Sequence, residues 1–254
     1  MLDRRTLLLG GAALALSGCK IFDSATDRDS RLRAVFASQE GLTKFAQRAM
    51  IGDRLAPEFT EADIRQGMRP NGSVDPASAD YRRMANTGFA DYRLTVTGMV
   101  ETPVSLSLAE LTAMPSRTQI TRLDCVEGWS CIAKWRGVPL GSVLTLAKPK
   151  LTARYAVFHC FDARERSLSG EVFYYESIDL IDAYHPQTIL AYAMNGAPLP
   201  VANGAPLRLR VERQLGYKMA KYVHTIDLVE SFADIGLGKG SYWADRGYEW
   251  YAGI

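Results

Sequence analysis

From about Tyr92 onward the chain alternates. In Tyr92-Arg93-Leu94-Thr95-Val96-Thr97, aromatic and aliphatic residues exchange with polar ones at a period of two. That pattern predicts a strand with one buried face. Ser107-Leu108-Ala109-Glu110 then forms a capping-box signature, with Ser at the cap and Glu three positions on. It opens a short helix that Pro115 closes. Further strands are expected at Gln119–Leu123, Arg154–Phe161, Thr188–Tyr192, Pro206–Val211 and Tyr222–Val229, and Asn195-Gly196 is a tight-turn signal. Many strands, few helices and no regular strand–helix alternation predict a mixed, β-rich α+β domain over residues 89–254.

Upstream the texture differs. Arg4-Arg5 precedes an apolar run that continues through Leu16 to Ser17-Gly18-Cys19, and Lys20 onward turns abruptly polar. A charged start, an apolar core and small residues before a break describe a secretory leader over residues 1–18. The arginine pair reads as a twin-arginine signal, which addresses proteins exported already folded. Leu16-Ser17-Gly18-Cys19 resembles a bacterial lipobox, in which Cys19 is the lipid anchor. Residues 19–88 read as a spacer and an N-terminal helical or irregular region. Within it Asp23 to Arg33 is polar, residues 32–49 fit helical spacing only loosely, and Pro70-Asn71-Gly72 and Asp75-Pro76 mark irregular chain. The expected location is therefore the periplasm, reached by the twin-arginine route, with membrane anchoring as a lipoprotein if the lipobox is used. Export in the folded state points to a cofactor inserted in the cytoplasm.

Composition narrows the classes. The chain has 254 residues, 47% hydrophobic and 23% charged, which gives a core of useful size and excludes a disordered chain. Four Cys exclude a disulfide-dense scaffold. A net charge of +2, with no Arg/Lys stripe, argues against nucleic-acid binding. Beyond the leader, nothing approaches the roughly 18 apolar residues of a membrane span.

Several motifs are absent. There is no Gly-x-Ser-x-Gly elbow, and the three His (His159, His185, His224) form no zinc pattern. No Cys-x-x-Cys-His occurs, so covalent haem attachment is excluded. Gly236-Leu237-Gly238-Lys239-Gly240 matches neither glycine-rich phosphate loop and reads as a turn. Cys125 and Cys131 are six apart, a spacing that neither requires nor forbids a disulfide.

What remains is Asp124-Cys125-Val126-Glu127-Gly128-Trp129-Ser130-Cys131, followed by Lys134-Trp135-Arg136-Gly137-Val138-Pro139-Leu140. This segment resembles the molybdenum-cysteine segment of the sulfite oxidase superfamily. The nearest resemblance is to bacterial periplasmic sulfite-oxidase-like proteins, a group that includes the catalytic subunit of methionine-sulfoxide reductase. A second stretch, His185 to Pro200 continuing through Asn203-Gly204-Ala205-Pro206-Leu207-Arg208, is similar to that family's molybdopterin-binding region. A third, Gly216-Tyr217-Lys218-Met219-Ala220-Lys221, resembles its Gly-x-Lys-x-x-Lys element.

The resemblance implies a sulfite-oxidase-type, molybdopterin-binding fold and a molybdenum–molybdopterin cofactor. It makes Cys125 the metal ligand and catalytic centre, as suits a soft thiolate. It further implies cofactor contacts at Asn203, Arg208, Gly216, Lys218, Met219, Ala220 and Lys221. Cys160 falls at the spacing of another contact, and an N-terminal one falls on Asn71 or Asn86. Arg208, Lys218 and Lys221 are the cations that would meet the pterin phosphate. Cys131 departs from the relatives' apolar residue at that position.

The activity implied is two-electron oxygen-atom transfer. Reduction of S-oxides such as methionine sulfoxide is favoured over sulfite oxidation, and a non-catalytic pterin-binding lipoprotein is the third reading. With no haem motif in the chain, electrons would come through a membrane haem protein or a soluble periplasmic carrier. A mature chain of this size leaves little room for the family's additional dimerisation domain, so a monomer is expected.

Overall fold

A computed structural model of the protein describes residues 54–167 and 170–254, together with Lys44, Arg48 and Gly52. The apolar leader, Cys19, the polar spacer and all but two residues of the loosely helical stretch lie outside them. Every element below belongs to the unit Asp53–Ile254.

The alternation near Tyr92 becomes strand β1 (Arg93–Gly98), whose Leu94 and Val96 are fully buried. Strand β2 (Val104–Ser107) follows after a short helix α1 (Ala79–Asn86) upstream has been capped by the Ser78 hydroxyl, which accepts from Tyr81 N at 3.2 Å. The capping box forms as expected on α2 (Leu108–Ala113): Ser107 Oγ accepts from Glu110 N at 3.1 Å, and Ser107 N donates to Glu110 Oε2 at 2.7 Å.

Next come β3 (Arg117–Asp124), β4 (Ser130–Pro139) and helix α3 (Leu140–Ala147). A long hairpin, β5 (Tyr155–Ser167) with β6 (Gly170–Asp179), leads to the short helix α4 (Leu180–Ala183). The remaining strands are β7 (Ile189–Met194), β8 (Ala197–Pro198), β9 (Arg208–Arg210) and β10 (Val223–Val229). Asn195 and Gly196 both take positive φ between β7 and β8, the tight turn their sequence called for.

These strands make two sheets. One runs β2-β1-β10-β5-β6, with β1 and β10 parallel and the other pairs antiparallel. The second runs β3-β4-β7-β8, with β9 added alongside β7. The result is the sheet-rich α+β architecture that the pattern predicts.

Sequence reading did not mark β2, β4, β6, β8, α1, α3 or α4. Strand β4 does alternate, with Cys131, Ala133 and Trp135 buried, but it lies inside the segment read for its motif. In β6 the six residues Tyr174–Asp179 are all buried, because both faces are covered, so no period survives. Residues 54–88 also pack on this body. Tyr81 Oη donates to Ala205 O at 2.7 Å, and Gln187 brackets Ala56 through Ala56 N (2.7 Å) and Ala56 O (3.0 Å).

Strand β3 turns a partly polar face inward. Gln119 and Thr121 are buried, and Gln119 Nε2 donates to Glu212 Oε1 at 2.8 Å. Trp135 lies fully buried on the adjacent β4, between two buried guanidinium groups. The Cζ atoms of Arg208 and Arg210 lie 5.0 and 4.4 Å from its ring.

Close approach of β4 to β7 depends on Gly137, where the pairing register shifts. A Cβ there would collide with the backbone of Leu190 and Ala191. Gly137→Ala is therefore expected to cost about 2 kcal/mol and to lower the melting temperature; an unchanged midpoint would contradict this contact.

Candidate active site

The β3–β4 hairpin turns over five residues, Cys125–Trp129. Cys125 N donates to Trp129 O at 2.8 Å, Gly128 N donates to Cys125 O at 3.0 Å, and Gly128 takes φ 83° to close the turn. This places Cys125 half-buried at the tip. Burial raises its pKa above the usual thiol value, against N–H groups of Glu127 and Val126 that hydrogen-bond the sulfur. A soft metal ion would reverse that balance and hold the thiolate.

Cys125 opens onto a cleft of about 200 Å³ at the junction of the two sheets. Each wall comes from a different part of the chain: the Asn71–Ser73 loop, Asp162 and Arg164 from β5, and Tyr174 from β6. Tyr217, Met219 and Lys221 come from the connection between β9 and β10, and Trp243 and Tyr248 from the C-terminal segment. Behind these walls lies a cationic layer. Arg208 is fully buried and donates to Asn203 O at 2.9 Å and to Asn71 Oδ1 at 3.3 Å. Burial, with Arg210 beside it, lowers its pKa to about 9. Lys221 Nζ donates to Ala202 O at 2.8 Å and to Ser73 O, and burial followed by the Arg208 charge brings its pKa to about 7. Gly204 lets these two side chains meet, since a Cβ there would stand 2.9 Å from Lys221 Cβ and 3.2 Å from Arg208 Cβ.

Several buried polar atoms here have no partner among the described residues: Arg208 Nε, Asn203 Nδ2, Arg164 Nε and Asp162 Oδ1. Buried polar groups are rarely left this way. Three donors and one acceptor, clustered around a cleft with more cations than carboxylates, suit an anionic ligand that also carries N–H groups. A pterin with a phosphate has both. Among the described residues, no three His, Cys, Asp or Glu side chains are arranged to hold a bare ion. A metal at Cys125 would therefore draw its other ligands from a cofactor, and the residues present fit a molybdopterin.

The structure brings together most of the positions picked out from sequence. Cys125, Asn71, Met219 and Lys221 line the cleft, and Asn203 and Arg208 stand directly behind Asn71 and Lys221. Gly216 supports Asn71, whose Nδ2 donates to Gly216 O at 3.2 Å, and it packs against Leu123 and Asp124. Ala220 pairs with Leu209 through its carbonyl at 2.8 Å.

Other positions lie elsewhere. Asn86 is exposed on α1. Cys160 is fully buried in the core and does not reach the cleft lining. Lys218 is also fully buried; its Nζ pairs with Glu176 and donates to Ser177 O at 2.9 Å, away from the cleft. Cys131 faces Leu123 across the hairpin, buried in the core, and both it and Cys125 are free thiols.

Sequence reading missed Ser73, Asp162, Arg164, Tyr174, Trp243 and Tyr248. The β5–β6 register shifts between His159 and Ala163, so counting along the strand cannot tell whether Cys160 or Asp162 faces the cleft. The C-terminal aromatics did carry a signal, five of them within residues 242–251.

Residues 82–234 match a family model described as the oxidoreductase molybdopterin binding domain. The chain is 34% identical to YedZ1 of Azospira oryzae over 253 residues, covering 98% of this chain and 86% of that protein. It is 40% identical over 195 residues to MsrP of Xanthomonas campestris pv. campestris, a protein-methionine-sulfoxide reductase catalytic subunit, covering 73% of this chain but only 60% of that protein. Among solved structures, the sulfane dehydrogenase SoxCD of Paracoccus pantotrophus is similar at 22% identity and a TM-score of 0.48, over 56% of this chain and 39% of that one.

Burial raises Asp162 from its usual range to about 6. The folded carboxyl thus binds its proton more tightly than the unfolded one, and stability falls as pH rises from about 4 to about 6. In cofactor-free protein, Asp162→Asn is expected to match wild type near pH 4 and to be the more stable above pH 6. Parallel melting curves across that range would contradict the assignment.

Proposed function

The chain belongs to the family of oxidoreductases built on a molybdopterin-binding domain, and on that premise we propose that it reduces S-oxides, methionine sulfoxide among them. The observation that supports this reading is the lining beside Cys125. Arg164 is the one arginine among the residues lining the cleft, and most of the remaining wall is aromatic or small and polar. A neutral, dipolar S-oxide suits such a wall. Sulfite, an anion with three oxygens, would call for a cluster of arginines.

When bound, the molybdenum cofactor supplies the two-electron chemistry. The S–O bond breaks, sulfur is reduced by two electrons, and the oxygen leaves as water after taking up two protons. The chain's own residues hold and orient. Cys125 would give the thiolate ligand, and Arg208, Lys221 and Asn203 would meet the phosphate. Asp162, whose Oδ1 is buried without a partner among the described residues, would accept from N–H groups of the pterin, while Asn71 ties the N-terminal loop to Arg208 and Gly216. Electrons arrive from a partner, a membrane haem protein or a soluble periplasmic carrier. The leader carries the folded, loaded protein to the periplasm by the twin-arginine route, Cys19 anchors it to lipid, and the enzyme works as a monomer.

Two experiments test this reading. Cys125→Ser is expected to abolish S-oxide reduction while leaving the circular dichroism spectrum unchanged, and full activity in that variant would contradict the ligand assignment. Replacing Arg4 and Arg5 by Lys is expected to leave the protein in the cytoplasm; an undiminished periplasmic fraction would contradict the export route.

A further inference from the structure

The end of the body remote from Cys125 carries a surface of its own. Strand β4 runs from Ser130, next to the Cys125 turn, through ten residues to Pro139, a span of about 30 Å. There Pro139 joins Met114, Pro115, Gly141, Leu146 and Tyr184 in an open groove of about 540 Å³ that shares no residue with the cleft. Helices α3 and α4 meet over it. A Cβ on Gly141 would stand 2.8 Å from the Tyr184 ring, so the missing side chain lets Tyr184 lie against α3. The loop from α3 to β5 closes the ring, because Arg154 O accepts from Leu180 N, at the start of α4, at 3.0 Å.

This ring is apolar where it meets water. Leu146 is 47% exposed, Tyr184 46% and Ile181 61%, and Leu151, in the loop, is fully exposed. Four large apolar side chains held in water on neighbouring elements mark an interaction surface. Cations without partners stand among them. Lys148, Lys150 and Arg154 are exposed and make no ion pair among the described residues. Glu101 touches this loop through its backbone, its N–H donating to Lys148 O at 2.9 Å. The chain arriving from Cys19 also enters the described body here. His185 lines the groove, and its Nε2 donates to Arg54 O at 3.3 Å; Arg54 is exposed and Leu55 half-exposed.

We propose that this face, built from α3, α4 and the loop between α3 and β5, lies on an anionic phospholipid surface. Apolar side chains framed by unpaired Lys and Arg, with a Tyr at the edge, are what a bilayer interface takes up. Leu151 and Ile181 enter the boundary of the acyl chains. The stems of Lys150 and Arg154 lie along it while their charged heads meet lipid phosphates. A fluid surface moulds itself to a projecting Leu151, whereas a rigid protein partner would need a matching pocket. The inference rests on the lipoprotein reading above for its tether: a lipid on Cys19 draws in the body by Arg54, the end nearest this groove, and so raises the effective concentration of the face at the bilayer. In that pose the Cys125 cleft stands at the far end of β4, open to the surrounding solution.

The test follows hydrogen exchange by mass spectrometry in the exported, molybdenum-loaded chain, free and with excess vesicles of phosphatidylglycerol or of phosphatidylcholine. On phosphatidylglycerol, amides in residues 146–154 and 180–185 are expected to exchange at least about fivefold more slowly than in solution, with the Cys125–Trp129 turn unchanged. Phosphatidylcholine, or about 0.5 M salt, is expected to remove most of that protection. Lys150→Gln and Arg154→Gln are each expected to weaken the contact about fivefold. Leu151→Ser, whose side chain has no packing to lose, is expected to weaken it similarly with the same melting temperature. Equal exchange with and without phosphatidylglycerol, or protection that survives all three variants, would overturn the proposal. Protection seen on native membranes but not on pure lipid would assign the face to a membrane protein and overturn it too. The intact mass of the exported chain reports the lipid on Cys19 separately, so failure of the anchor and failure of the face are told apart.

Discussion

A guanidinium buried without a carboxylate partner among the described residues governs this structure. Arg208 has no exposed surface, its hydrogen bonds go to neutral oxygens of Asn203 and Asn71, and its Cζ lies 5.0 Å from the ring centroid of Trp135. Its neighbour Arg210 shows the ordinary solution, with Glu212 accepting from Nε at 2.9 Å and NH2 at 2.6 Å. Desolvating an unpaired cation costs several kcal/mol, and a buried cation–π contact returns about 2 kcal/mol of it. The difference is a standing demand for an anion, and Lys221 adds to it. A phosphate bound beside Asn71 would meet that demand, so the protein's least comfortable charge is also what would hold its cofactor.

The geometry that follows from this contact ties two strands of the second sheet to the N-terminal loop. Trp135 lies on β4, the strand that leaves the Cys125 hairpin, whereas Arg208 lies on β9 and reaches the N-terminal loop through Asn71. The strand that leaves the Cys125 hairpin and the loop at Asn71 are thus fixed to each other through one aromatic–cation contact and one amide. Such fixing matters because an oxygen-transfer site must hold its reacting atom within a fraction of an ångström.

How much of this was legible in the sequence depended on what each residue's environment erased. Strand β1 and helix α2 could be read from periodicity and capping because one face of each meets solvent. Strand β6 could not, because burial on both faces removes the alternation. Cys125, Asn203, Arg208 and Lys221 were picked out through order and spacing along three motifs, and Asn71 only as an alternative to Asn86 upstream of them. Lys218 shares the motif with Lys221 but points into a buried pair with Glu176, a partner 42 residues away that no local pattern reveals. Asp162 was hidden by the irregular pairing of β5, and the aromatic wall by its place in a segment with no motif.

The most direct test of this account is the molybdenum content of wild-type protein purified from a host that makes molybdopterin. Near-stoichiometric molybdenum, with pterin released on denaturation, is the result expected if the Arg208 layer and Cys125 together hold the cofactor. Well-folded protein from that host with neither molybdenum nor pterin would contradict it.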